Sequence, residues 1–380
     1  MKSASDASLS GSSGQAVLSI DVRQDDIIAF DRLTSIDLTF EEQTLAGTPD
    51  QVDQQEKRLL AIHFHPEWIP LPLIENRLAL AFPQAEDRLV IPTQHNRLTT
   101  MGDWAGVEVD CFAPNFGQKI QLLIHFKKTA ITKAGAFKDM LDQTFSYRAH
   151  QLLEILAALT NPSESISKEI KDNGLDHEAL DLASFFAFRL EELIRTRNVL
   201  ASERSEMLKN RLLTDFMLAR NQGIEPALFS DSLAAANMVK SMVKRRLDYN
   251  RFRSAHEVIE EARSFNAGVI IPHPPQFWPA LLDDLDVDGW EVWNPSTPKQ
   301  TLFLIDCLSR TKRRRPLLAF MGDDTHMSSK IRPNITEDKN GAGREIGFQP
   351  PWFDPEVVSA LKKTGQSRER TMDEYRARMA

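Results

Sequence analysis

Arg58-Leu59-Leu60-Ala61-Ile62-His63-Phe64-His65 opens the pattern that organises this 380-residue chain. A run of apolar residues about one strand long ends abruptly in residues that chelate metals. Alternation along an extended chain puts His63 and His65 on one side, both able to face one ion. Alone, an HxH pair is as common in packing or surface roles, so the rest of the chain must support it. It does so at six further places. Leu89-Val90-Ile91 leads to Thr93-Gln94-His95, Ala105-Gly106-Val107 to Glu108, and Ile120-Gln121-Leu122-Leu123-Ile124 to His125. After a long gap, Gly268-Val269-Ile270-Ile271 leads to His273, Val287-Asp288-Gly289-Trp290 to Glu291, and Leu317-Leu318-Ala319-Phe320 to Gly322-Asp323-Asp324-Thr325-His326.

Continuous apolar runs mark strands buried on both faces, as in parallel sheets. In α/β barrels the chemistry collects at the C-terminal strand ends. The expectation is therefore a barrel of seven strands with one polar mouth. Six of the nine histidines stand at these strand ends, which makes a purely structural role for all of them improbable. The other three, His150, His177 and His256, lie in the gap. A mixed His/carboxylate set of this size suits two or three divalent ions such as Mn²⁺, Zn²⁺ or Fe²⁺. Glu108 is the candidate bridge between cations, because each carboxylate oxygen can bind one.

The remaining chain is read around this frame. Residues 1–15 are rich in Ser, Gly and Ala without an apolar signal core, and read as a disordered leader. Residues 16–57 form an N-terminal β element, with strands expected at 17–22 and 36–40. The first barrel segment is 58–135. The gap, 136–263, reads as a helical insertion or cap, with helices at 137–159, 180–200, 203–220 and 232–250. The second barrel segment is 264–328, and a Pro/Gly-rich tail with a short helix at 355–363 fills 329–380. A net charge of −8 argues against a nucleic-acid coat protein. Two basic runs, Lys312 to Arg315 and the cluster Lys240, Lys244, Arg245, Arg246, Arg251 and Arg253, keep nucleic acid open as a partner. Only two cysteines, Cys111 and Cys307, and no membrane-length apolar run make the cytoplasm the expected location.

Taken in order, these motifs resemble the PHP (polymerase and histidinol phosphatase) family of metal-dependent phosphoesterases. His63-Phe64-His65 resembles the family's opening HxH, Thr93-Gln94-His95-Asn96 its Thr-Asp-His-Asn, and Gly106-Val107-Glu108-Val109 the segment carrying its bridging glutamate. Ile124-His125-Phe126 resembles its next histidine segment and Ile271-Pro272-His273-Pro274 its Ala-His-Pro. Glu291-Val292-Trp293-Asn294 is similar to its Glu-Val-Tyr-Asn, and Gly322-Asp323-Asp324-Thr325-His326 to its Gly-Ser-Asp-Ala-His. The resemblance covers residues 58–328 and implies a distorted (β/α)7 TIM-like barrel with a large helical insertion.

It also implies metal ligands at His63, His65, His95, Glu108, His125, His273, Asp324 and His326. The family has an Asp or His about five residues after the HxH pair, where Pro70 stands here. Glu67 is the nearest substitute and is taken as a further ligand. Gln94 replaces the motif's Asp. The implied chemistry is hydrolysis of a phosphomonoester by metal-activated water. His273, Asp324, His326 and Glu108 form the catalytic set, with His273 or His326 as the alternative acid for the leaving oxygen. Arg97, Lys127, Lys128 and Arg344 are candidate phosphate clamps, and Asn294 a substrate contact. The implied substrate is a phosphorylated small molecule. Three rivals stand beside this reading: a nuclease acting on nucleic-acid ends, an amidohydrolase-type barrel, and a non-catalytic PHP-like binding protein. The closing Asp324-Thr325-His326 and the His273-Pro274 turn speak against the amidohydrolase.

Overall fold

Each apolar run does become an extended, buried segment. The computed structural model describes residues 21–245, 252–313, 315–332 and 343–380, in two compact units. The first comprises residues 35–151 and 252–380 as described and holds all the strands. They are β1 (Arg58–Ala61), β2 (Phe64–His65), β3 (Asp87–Val90), β4 (Gln94–His95), β5 (Thr99–Met101), β6 (Trp104–Ala113), β7 (Gln118–Lys127), β8 (Gly268–Ile271), β9 (Gly289–Trp293), β10 (Leu318–Met321) and β11 (Thr325–His326).

The main sheet runs β10-β9-β8-β7-β6-β4, with β5 paired to β6. β4 is parallel to β6, and β8, β9 and β10 are mutually parallel. β7 is antiparallel to both neighbours, β6 and β8. This corrects the expectation of seven strands sharing one polar mouth. The connection from β6 to β7 is a tight hairpin through Pro114–Phe116, and a connection that short can only reverse the chain. Two parallel pairs lie outside the sheet, β1 with β3 and β2 with β11. The core packs Leu60, Ile62, Val107, Leu123, Ile270 and Phe320 against Leu304, Leu361, Met372 and Tyr375. The last four come from helices Thr301–Arg310, Pro355–Lys363 and Arg368–Arg378, the third of which the sequence reading did not anticipate.

The second unit is helical, formed by residues 21–34 with 152–245. Its helices include Gln24–Thr34, Glu164–Asp172, His177–Thr196, Leu212–Ala219 and Pro226–Arg245. The expected helix at 203–220 is broken: Glu203–Met207 forms only a tight 3₁₀ segment. Buried Asp26 accepts from Arg189 Nη1 at 2.7 Å and Arg220 Nε at 2.8 Å, pinning the first helix. The unit is narrower than the expected 136–263, because Phe137, Met140 and Leu141, and likewise Val258, Ile259 and Ala262, belong to the strand-bearing unit's core.

The N-terminal β element is also corrected. Residues 1–20 lie outside the described residues; beyond them come helices Gln24–Thr34 and Phe40–Gly47. Buried Asp26, Phe30, Leu33 and Thr34 follow a helical period in the stretch between the two expected strands. Thr39 and Glu42 form a reciprocal capping box that starts the second helix inside the expected strand at 36–40. Arg246, Arg251 and Arg314, members of the basic runs, lie outside the described residues. Both cysteines are free, and no helix among the described residues is long and apolar enough to cross a membrane.

Candidate metal centre

The parallel register of β4 and β6 sets His95 directly beside Glu108. The pairing of β2 with β11 does the same for His65 and His326. Neighbouring strands therefore deliver their polar residues to one point. Glu108 lies at its centre with its two oxygens facing different histidines. Oε1 lies 3.3 Å from His273 Nε2 and 3.7 Å from His63 Nε2. Oε2 lies 2.5 Å from His95 Nδ1 and 3.7 Å from His65 Nε2. Asp324 Oδ1 closes the other side, 3.5 Å from His63 Nε2, 3.4 Å from His65 Nε2 and 3.6 Å from His326 Nε2.

Three overlapping groups have ligand atoms close enough to share an ion: His65 with His95 and His326, His63 with His273 and Asp324, and His63 with His65 and Glu108. The donor set fits a cation on a second count. His63 Nε2 and both ring nitrogens of His65 are buried without a well-formed hydrogen bond. Buried polar atoms are ordinarily satisfied, and a lone pair on a bound ion is one way to satisfy them.

Carboxylates behind the histidines set their orientation. Glu291 Oε1 lies 2.6 Å from His63 Nδ1, leaving Nε2 for the cluster, and Oε2 accepts the His273 backbone N–H at 2.8 Å. Gly322 is required beside it, since a Cβ there would fall 2.0 Å from Glu291 Oε1. Glu67 plays a similar part. Its Oε1 is 3.6 Å from His326 Nδ1 and its Oε2 accepts the Ser328 N–H at 2.7 Å. Expected as a ligand, Glu67 belongs to none of the three groups and stands behind one. Gln94, in place of the motif's Asp, accepts the Glu67 N–H at 3.1 Å. Four non-glycine residues here, Glu67, Asn96, His273 and Asp324, have φ between 29° and 55°. Such backbone costs about 1–3 kcal/mol per residue and concentrates at functional sites.

Electrostatics follow from the mixture. Burial opposes charge on His63, but Glu291, Asp324 and Glu108 overcome it and raise its pKa to about 10. Burial likewise opposes charge on His326, which Asp324 and Glu67 raise to about 9. Burial, with His326 and His95 nearby, holds His65 well below its ordinary value. Against the same burial, imidazoles keep Glu108 and Asp324 far below the usual carboxylate range. The two carboxylates and His65 thus stand in the forms that bind cations, whereas His63 and His326 would give up a proton to a bound ion.

The structure parts His125 from this group. Because β7 is reversed, its C-terminal end runs away from the cluster: Gly268, which begins β8, stands opposite His125. His125 Nδ1 instead meets the Tyr375 hydroxyl at 2.9 Å, and burial, with His63 nearby, lowers its pKa to about 3. Exposed Lys127 and neighbouring Lys128 lie farther along the same direction and are corrected as phosphate clamps for the same reason. Arg97 stacks over the Phe145 ring at 4.4 Å. Arg344 Nη1 donates to the Asp324 carbonyl at 3.0 Å and lies 3.6 Å from its Oδ2. Asn294 Nδ2 lies 3.3 Å from Glu291 and 3.5 Å from Asp324, so it braces carboxylates from within.

Sequence reasoning missed Glu291 as a site residue although it ends an apolar run like the others. It also missed Gln121, whose amide is 3.4 Å from His95 Nδ1 and whose mid-strand position carries no signal. A cleft lined by Asp53, Glu56, Trp352, Phe353 and Arg368 lies elsewhere in this unit and contains none of the cluster's residues.

No protein-family model matches the chain, and no curated protein matches it. Among solved structures, a candidate metal-dependent phosphoesterase from Bifidobacterium adolescentis is similar at 16% identity, over 68% of this chain and 75% of that one, with a TM-score of 0.35. A likeness that slight is no warrant for a common fold or a common activity.

Proposed function

We propose that this protein is a metal-dependent phosphoesterase of PHP type that hydrolyses a small phosphomonoester. The observation that carries the reading is Glu108, a buried carboxylate whose two oxygens face two separate sets of imidazoles. That is the disposition of a bridging ligand between two cations. Pairing of β2 with β11 and of β1 with β3 supports a distorted barrel in which the strand sets continue into one another.

His63, His273 and Asp324 would hold one ion and His65, His95 and His326 another, with Glu108 between them. Bound Mn²⁺, Zn²⁺ or Fe²⁺ would bring the pKa of water towards neutrality and offset charge on the phosphoryl oxygens. Glu291 and Glu67 hold His63 and His326 with their Nε2 atoms turned inward. Arg344, beside Asp324, supplies a cation for phosphate oxygens. His273 and His326 both stand in ligand groups and are assigned as ligands instead of proton donors. The phosphorylated small-molecule substrate and the cytoplasmic location are part of this proposal.

A hydrolysis screen over phosphomonoesters, phosphodiesters and short oligonucleotides, with each metal added in turn, tests it. Phosphomonoester turnover should vanish on chelation, return with Mn²⁺, Zn²⁺ or Fe²⁺, and drop by orders of magnitude in Asp324→Ala and His273→Ala. Turnover that survives full metal removal overturns the reading.

A further inference from the structure

Asp110 lies two residues beyond Glu108 on β6, hence on the same face and about 6.5 Å farther along the strand. Its side chain is fully buried and holds two cations. Lys119 Nζ, from β7, lies 2.5 Å from Oδ1, and Arg148, on helix Gly135–Thr160, pairs with Oδ2. Asn96, next to His95, locks the arrangement. Its Nδ2 donates to Asp110 Oδ2 and its Oδ1 accepts the Asp110 N–H, both at 2.8 Å.

One carboxylate is balanced by one cation, so this triad carries a surplus positive charge. An ammonium has three donors and a guanidinium five, more than one carboxylate can occupy. The Lys119 and Arg148 side chains are 24% and 39% exposed, so neither is sealed in with the carboxylate. Arg97, next to Asn96, stacks on Phe145, which precedes Arg148 by one turn of the same helix. A surface Lys–Asp pair would be loose and weak. Here a buried anion fixes two cations one strand step beyond the carboxylate assigned as the bridge.

We propose that Lys119 and Arg148, held by Asp110, form a second anion-binding subsite, so that the substrate is a small phosphate ester carrying a second phosphate or carboxylate. This rests on the phosphoesterase reading for the reaction, but the subsite can be tested apart from it. The probes are propane-1,3-diol monophosphate and propane-1,3-diol bisphosphate, used with the full chain loaded with metal. Both kcat/KM and calorimetric binding are measured for wild type, Lys119→Gln, Arg148→Gln and the conservative Lys119→Arg.

Wild type should prefer the bisphosphate by roughly tenfold or more, the scale of one charge-assisted hydrogen bond. Lys119→Gln and Arg148→Gln should each remove most of that preference, and Lys119→Arg should retain it. No preference in wild type, or equal losses on both probes, overturns the subsite. A binding preference lost in the variants, without hydrolysis of either probe, upholds the subsite and overturns the phosphoesterase reading.

Discussion

His65 and His125 are both fully buried histidines of one compact unit, each set close after an apolar run, yet their surroundings have little in common. His65 stacks between the rings of His95 and His326, at 4.4 and 4.2 Å, and turns Nε2 towards Glu108 and Asp324. His125 meets a phenol, with the Tyr375 ring edge-on at 5.9 Å. The difference is strand direction. β2 and β4 run towards the cluster, whereas β7 runs away from it, so His125, opposite Gly106 and two residues short of Glu108 in register, turns to Tyr375 instead of joining the ligand groups. A histidine after an apolar run is a candidate ligand. The run does not tell which way its strand carries that histidine relative to the others.

The largest effect that bears on this contrast is expected from paired substitutions. Glu108→Gln removes the charge shared by four imidazoles and should lower turnover at least about a hundredfold, with loss of bound metal. His125→Gln should keep both metal content and turnover while lowering the melting temperature. Elemental analysis and phosphatase assays on the two proteins decide it. Equal damage from both would break the contrast.

A smaller effect separates ligands from the residues behind them. Glu291→Gln and Glu67→Gln should each weaken metal affinity about 10- to 100-fold, the usual cost of losing a histidine's orienting partner. Ion stoichiometry at saturating metal should stay that of wild type. Loss of one ion in Glu67→Gln would restore Glu67 to the ligand set, where the sequence pattern had placed it.

The smallest effect belongs to the His125–Tyr375 pair. Tyr375→Phe leaves His125 Nδ1 buried without a partner and should cost about 1–3 kcal/mol, read in a denaturant melt, with turnover intact. His125 also has an acid signature. Its folded pKa, near 3, lies below its ordinary value of 6.5, so between those limits the unfolded chain binds the extra proton. Stability should therefore fall as pH drops from 6.5 towards 3, and His125→Gln should flatten that limb. An unchanged acid limb would mean that burial is not what holds this histidine neutral.

Much of the site was legible without coordinates, because its ligands are local events: an apolar run closes, and a His, Asp or Glu follows, even where, as at Glu108, the strand itself continues. His63, His65, His95, Glu108, His273, Asp324 and His326 all carry that signature, and all seven meet in space. Alternation alone puts the HxH pair on one side of its strand. The helical character of much of 136–263 was likewise written in the spacing of apolar residues. Where the periods competed, as in residues 24–47, the capping box and the buried face won, and a two-residue reading failed.

What only the tertiary structure decided is everything that depends on direction and on partners far along the chain. β7 reverses because a hairpin too short for a crossover joins it to β6, and that reversal carries His125, Lys127 and Lys128 away from Glu108 along the strand. Glu67 becomes a support because the pairing of β2 with β11 places His326 in front of it. Lys119, Arg148 and Asp110 come from two strands and a helix and share no sequence pattern. A side chain's identity and its period belong to the local chain; the neighbours that give it a charge, a role or a partner belong to the packing.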